Sequence, residues 1–262
     1  MSISVQDQTG NLVFISRPAV RIVSLVPSIT ELLFDLGLRE EVTGITKFCV
    51  HPHEWYKTKE RVGGTKNISL KKISALAPDL IFANKEENVK EQVEALAQIA
   101  PVYLSNIATV DDALQMIKDV ARLTGKDRTG AAMVEQIQND LSQIQINDTY
   151  NVLYLIWQKP YMSVGGDTFI NSMLNAAGFR NVLEHQIRYP AVTTEDIRHL
   201  RPQFIFLSSE PYPFREKHMV TLKKETGVEQ ILLVDGEIFS WYGSKMLRAA
   251  AYFRYLKQHL GI

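Results

Sequence analysis

Only one cysteine, Cys49, occurs in 262 residues, so no disulfide can form within the chain. That leaves the compartment open, because exported proteins also do without disulfides. An excess of either charge is missing too: 29 Lys+Arg balance 29 Asp+Glu. Without a basic stripe there is no counterion release to drive nucleic-acid binding, and no polybasic membrane anchor. No apolar run reaches the roughly 18–20 residues of a membrane span. The opening M-S-I-S-V-Q-D-Q-T-G lacks the basic and apolar regions of a signal peptide, so either the chain stays in the cytoplasm or a leader was removed. The P-loop pattern G-x-x-x-x-G-K-[ST], a G-x-G-x-x-G after a strand and the G-x-S-x-G elbow are all absent.

What is present is an ordinary globular composition, 45% apolar and 22% charged. A chain of this length buries about 70–75% of its unfolded surface, enough for one large domain or two lobes. Ile3–Val5 and Leu12–Ile15 read as a hairpin around Gln8-Thr9-Gly10. Arg21–Val26 reads as a buried strand ended by Pro27. Ser28-Ile29-Thr30-Glu31 then fits a capping box, opening a helix that Gly37 ends. Strands at Val42–Ile45, Leu80–Ala83 and Val102–Ser105 alternate with helices at Leu70–Leu76, Asn88–Ala100 and Val110–Leu123. Such alternation predicts an α/β fold with mostly parallel sheets and helices on their faces.

A fifteen-residue unit occurs twice, 124 positions apart: Ser69–Ala83 and Thr193–Leu207. Ile73 matches Ile197, Pro78 matches Pro202, and Ile81-Phe82 matches Ile205-Phe206. Each copy reads as a short helix, a proline and a buried strand. The repeat predicts two similar lobes with a ligand cleft between them. A long helix from Asp127 to Ile146 falls between the copies and reads as the connector. The expected organisation is an N-terminal lobe over 1–124, a connecting helix over 125–147 and a C-terminal lobe over 148–262. In the second half Val152–Trp157 and Ile231–Val234 read as strands. A helix near Thr168–Ala177 is expected to be capped by Asp167, and Ser244–Leu260 reads as the closing helix.

Two groups of residues invite a chemical reading. The loop Phe48-Cys49-Val50-His51-Pro52-His53 carries soft metal ligands in Cys49, His51 and His53, but the spacing fits no zinc pattern. The plainer reading is a ligand-facing loop before a helix that starts near Pro52. Carboxylates are scattered, and no catalytic pair stands out. Trp157, Tyr161, Tyr189, Tyr212, Phe214, Trp241 and Tyr242 all fall at predicted strand ends or in the loops after them. Each alone is as readily a cap on its own core. Together they suit a wide, partly apolar site for a large flat or amphipathic ligand.

The segments R-I-V-S-L-V-P-S-I-T-E-L-L-F-D-L-G at Arg21–Gly37, R-V-G-G at Arg61–Gly64, L-x-P-D-L-I at Leu76–Ile81 and Y-M-S-V-G-G-D-T-F-I-N at Tyr161–Asn171 are similar, in order and spacing, to a known family. These are the ABC-transporter substrate-binding proteins for vitamin B12, ferric siderophores and haem, also called helical-backbone metal receptors. The cobalamin-binding branch is the nearest match. The resemblance implies two α/β lobes joined by one long helix, a cleft that is largely preformed, and no chemistry on the ligand.

The implied ligand is a corrinoid or an iron chelate. Trp157 and Tyr189 stand where that branch places pocket aromatics, and Phe48, Thr65 and Asn84 stand in the facing loops. Trp241, Tyr242, Tyr161 and Tyr212 add aromatic surface. Lys66, Asn84 and Gln158 are expected to meet the ligand's amides or carboxylates, and His51 is a candidate ligand to its metal. Neither a resident cofactor nor a structural metal is implied. The implied partner is an ABC permease, and the chain is expected to act as a monomer at the periplasmic side or on a membrane anchor. One departure concerns docking: the family's two permease-facing glutamates fall at Glu195 and at Lys71, so a lysine stands where a glutamate is expected, with Glu60 or Glu54 as nearby substitutes. The rival readings are a cytoplasmic metal-dependent enzyme using Cys49, His51 and His53, a non-exported corrinoid-binding relative, and a relative whose cleft is filled by its own side chains.

Overall fold

The computed structural model describes residues 2–146 and 148–262, so Asn147, the last residue of the expected connector, lies outside the described residues. Two compact units divide the chain. The first takes the chain up to Ile107 together with Asp111–Ile137 and Tyr242–Lys245, and the second takes Ala108–Val110, Gln138–Trp241 and Met246–Ile262.

In the first unit the expected hairpin forms from β1 (Ile3–Gln6) and β2 (Leu12–Ile15), paired antiparallel. Asp7 shapes its turn by accepting from the backbone N–H of Thr9 and Asn11. The main sheet holds β3 (Ile22–Ser24), β4 (Val42–Ile45), β5 (Glu60–Arg61), β6 (Leu80–Asn84) and β7 (Val102–Ser105) in the order β5-β4-β3-β6-β7, all parallel. The helices are α1 (Pro27–Asp35), α2 (His53–Thr58), α3 (Leu70–Ala75), α4 (Lys90–Leu96), α5 (Val110–Leu123) and α6 (Asp127–Ser142), whose residues from Gln138 on belong to the second unit. Val23, Leu25, Ile73, Ile81, Ala83 and Leu96 form one buried cluster that clamps α3 and α4 onto the sheet. β6 is buried along its whole length, which is why it reads as an unbroken apolar run rather than an alternating one.

Three local expectations change. The strand expected over Arg21–Val26 ends at Ser24, and Pro27 opens α1 as its first residue, after the uncapped Val26. The Ser28–Glu31 capping box therefore does not form, and Glu31 turns instead to Lys245, 3.1 Å away. The long helix α6 ends at Ser142 rather than Ile146. Gly130 lets α6 approach α5, since a Cβ there would lie 2.3 Å from the Ala121 Cβ.

The second unit has a sheet of β8 (Tyr150–Leu155), β10 (Phe179–Asn181), β12 (Phe204–Ser208) and β13 (Gln230–Val234), ordered β10-β8-β12-β13 and again all parallel. A separate antiparallel ribbon pairs β9 (Tyr161–Met162) with β11 (Ala191–Val192). The helices are α7 (Phe169–Ala176), α8 (Thr194–Leu200), α9 (Glu216–Thr226), α10 (Gly236–Ser240) and α11 (Ala249–Leu260), the last preceded by a 3₁₀ turn at Ser244–Arg248. Leu153, Leu155, Ile205, Leu207, Phe214 and Leu222 form one core cluster. Phe179, Phe206, Phe239 and Phe253 form an aromatic row, with Phe179 and Phe206 edge to face at 5.0 Å. The cap of α7 is Thr168, which accepts from the Asn171 N–H; Asp167 instead accepts from the Arg188 N–H.

The internal repeat is realised residue by residue. Ser69 caps α3 and Thr193 caps α8, each by its side-chain oxygen. Ala77 and Arg201 are both left-handed, with φ of 44° and 46°, and the proline follows each. β6 and β12 then start two residues beyond those prolines and are buried throughout.

Candidate functional site

Strand order reverses once in each main sheet. In the second unit β8 is followed in the chain by β10 on one side, while β12 and β13 lie on the other, so the switch point falls between β8 and β12. Loops leaving the carboxyl ends of such strands diverge there and leave a crevice, the usual ligand position in open parallel sheets. The two loops that leave β8 and β12 carry Trp157, Gln158 and Tyr212.

These residues form one connected cluster. The Trp157 and Tyr212 rings meet edge to face with centroids 5.5 Å apart. The Tyr212 hydroxyl donates to Gln158 Oε1 at 2.9 Å, and Gln158 Nε2 donates to the Tyr161 hydroxyl at 3.3 Å. Tyr212 rests on Phe214 at 4.8 Å and on His218 at 5.5 Å. Trp157 remains 41% exposed, unusual for so large an apolar side chain. The β9–β11 ribbon brings up Tyr189, which is 36% exposed and lies under the Arg188 guanidinium at 5.6 Å. Burial raises the Tyr161 hydroxyl above the ordinary phenol range, so it stays protonated.

Trp241 belongs to a neighbouring group at the same end of the sheet. Its Nε1 donates to Glu210 Oε1 at 2.9 Å, and Ser240 Oγ donates to the same oxygen at 2.9 Å. Burial raises the Glu210 carboxyl above the usual range, while those two donors pull it back. Sequence reading overlooked Glu210; its only signal is its place just after β12, beside Pro211-Tyr212.

In the first unit the switch point lies between β3 and β6. Here the chain's own residues use the polar groups. Asn84 is buried: its Nδ2 donates to Ser105 Oγ at 3.0 Å and its Oδ1 accepts from the Glu86 and Glu87 N–H groups. Expected to face a ligand, Asn84 instead builds the turn after β6. Tyr242 is likewise buried, with its hydroxyl donating to Glu87 Oε1 at 3.2 Å, so it offers no open ring face.

Phe48 is half exposed and packs over Gly64, with the Lys47 ammonium 5.1 Å from its ring. His51 is exposed, and Thr65 is partly so, its carbonyl accepting from Asn88 Nδ2. Lys66 is exposed and donates to the Glu86 carbonyl. Phe48, His51, Thr65 and Lys66 therefore remain at the surface of this unit, while Asn84 and Tyr242 do not.

The metal-enzyme reading fails on Cys49. Its side chain is fully buried, and burial pushes the thiol above its ordinary range. Burial keeps it a thiol in the core against the Thr30 and Thr46 hydroxyls, 3.1 and 3.2 Å from the sulfur, which pull the other way. Among the described residues no group of three or more His, Cys, Asp or Glu could hold a metal ion. Glu195 and Lys71 are both exposed, on α8 and α3. The two substitutes for Lys71 are engaged: Glu60 pairs with Lys72 and Glu54 with Arg39, each at 2.6 Å.

Known proteins resemble this chain over most of its length. A family model described as "Periplasmic binding protein" matches residues 22–236. The vitamin B12-binding protein of Vibrio campbellii is 26% identical over 201 residues, covering 74% of this chain and 73% of the relative. The ABC transporter substrate-binding lipoprotein YvrC of Bacillus subtilis is 29% identical over 217 residues, covering 78% and 68%. The crystal structure of the periplasmic vitamin B12 binding protein BtuF of Vibrio cholerae superposes with a TM-score of 0.78 at 22% identity, covering 94% of this chain and 99% of that one.

Proposed function

This chain belongs to the periplasmic binding protein family, and from that premise we propose that it captures a corrinoid or a related metal chelate for uptake by an ABC-type permease. The observation that carries the reading is Trp157, left open to solvent at the switch point of the second unit and braced by Tyr212. A macrocycle offers a broad apolar face that such a ring can cover, and amide or carboxylate arms that exposed polar groups can meet. Relatives named for vitamin B12 binding favour a corrinoid within that class. Within the second unit Tyr189, Tyr161 and Trp241 would extend the aromatic contact; within the first, Phe48, His51, Thr65 and Lys66 are the surface side chains that would meet a ligand. Binding would be non-covalent, and the ligand would leave unchanged.

In this reading residues 1–124 and 148–262 act as lobes with α6 within the connector, and the chain works as a monomer outside the cytoplasmic membrane. Glu195 would face a basic residue of the permease, and Lys71 would call for an acidic one, because like charges across an interface repel.

Titration with cyanocobalamin, cobinamide, haem and a ferric hydroxamate, followed by tryptophan emission and ligand absorbance, tests the proposal. Saturable one-to-one quenching by at least one of them, with the ligand recovered intact, is expected. Absence of saturable binding to all four overturns it.

A further inference from the structure

Gln158 is a partly exposed amide that already bridges two side chains. Its Oε1 is already engaged by the Tyr212 hydroxyl, and its Nε2 by the Tyr161 hydroxyl. The two tyrosines come from different parts of the unit, one from the ribbon strand β9 and one from the loop after β12. Both pack against the core cluster that holds Leu153, Ile205 and Phe214. The amide therefore bridges two anchored phenols.

The Trp157 backbone is fixed as well. Met162 N–H donates to the Trp157 carbonyl at 3.1 Å, and the Ile156 N–H donates to the Met162 carbonyl at 2.9 Å. The Tyr212 N–H reaches the Ile156 carbonyl at 3.3 Å. What backbone pairing leaves loose is the indole's two side-chain torsions. Its ring meets Tyr212 edge to face, and the Tyr212 hydroxyl is bonded in turn to Gln158.

We infer that Gln158 is a positioning residue: by tying the Tyr161 and Tyr212 hydroxyls together it sets the angle at which Trp157 presents its ring, before any ligand arrives. An exposed ring free to rotate must be ordered on binding, and prior ordering removes that cost. This replaces the expectation that the Gln158 amide itself contacts the ligand. It rests on the proposed capture of a metal chelate, but its first readout needs no ligand.

The experiment uses full-length protein labelled with 5-fluorotryptophan, whose three ¹⁹F resonances are assigned with Trp157→Phe. In ligand-free protein, Gln158→Leu and Tyr212→Phe should each shift and narrow the Trp157 resonance while leaving those of Trp55 and Trp241 in place. Both should weaken cyanocobalamin binding about tenfold. Gln158→Glu keeps two acceptor oxygens for the two hydroxyls and should stay within about twofold of the parent in affinity, with the parent's Trp157 resonance. An unmoved Trp157 resonance in Gln158→Leu and Tyr212→Phe overturns the inference. So does a Gln158→Glu protein that binds as poorly as Gln158→Leu, since that assigns the amide to the ligand directly. If the parent protein binds no chelate, the functional reading fails, and the ligand-free resonances still decide whether Gln158 holds Trp157.

Discussion

Lys245 Nζ lies 3.1 Å from Glu31 Oε1, and both side chains are almost wholly withdrawn from water. The pair joins α1 to the Tyr242–Lys245 segment inside the first unit. Removing one partner strands the other charge. Lys245→Met should therefore cost about 3–5 kcal/mol, whereas Lys245→Met with Glu31→Leu should recover most of that loss. Equilibrium urea unfolding of the three proteins checks this. Equal losses in the single and the double variant would show that the charge pair is not the source.

The aromatic contact makes a second prediction. Trp157→Ala and Tyr189→Ala together should weaken cyanocobalamin binding by well over tenfold, because each ring contributes about 1–3 kcal/mol of buried contact. Isothermal titration against the parent decides it. Unchanged affinity would remove both rings from the site.

His218 gives a dependence on pH. Burial holds its imidazole below the ordinary histidine value, and its Nδ1 accepts from the Arg215 N–H at the start of α9. The folded protein thus keeps the ring neutral, while the unfolded chain takes up a proton near pH 6.5. Stability from this group is fully present above that value and is lost as pH falls toward the folded pKa. Urea midpoints should drop between pH 7.5 and 5, and by less in His218→Asn, which keeps an acceptor but cannot titrate. An identical drop in both proteins would acquit His218.

Docking supplies the fourth. Glu195 is exposed on the first turn of α8. Glu195→Lys should leave cyanocobalamin affinity within about twofold and lower permease-dependent uptake at least tenfold, as expected for a reversed contact charge. Uptake at the parent rate would exclude Glu195 from the contact.

Much of this fold could be read in advance. β4, β7 and α5 run between the residues expected, because apolar runs and amphipathic spacing mark them sharply. The ends of α6 and β8 were less legible, because there the apolar pattern outlasts the hydrogen bonds: Ile144 is still buried beyond Ser142. The sequence pattern missed α9, whose E-K-H-M-V-T-L-K-K-E-T is mostly polar and held by a few residues such as Leu222. It also missed the two-residue strands β9 and β11, which are too short to show alternation.

At the site, residue type located the aromatics but not their exposure. Trp157 and Tyr242 look alike in sequence, and only tertiary packing leaves one open and closes the other. Asn84 and Gln158 were expected to serve a guest; in the folded chain Asn84 shapes the turn after β6 and Gln158 bridges two tyrosine hydroxyls, since an amide's four bonding positions suit a turn or a bridge equally well.

The matched left-handed residues, Ala77 and Arg201, carry a consequence of their own. Neither is glycine, so each pays about 1–2 kcal/mol in steric strain for its bend. The two side chains share no chemistry, yet the corner is the same. What the two halves hold in common there is a left-handed turn of backbone just before the proline, which an alanine makes in one copy and an arginine in the other.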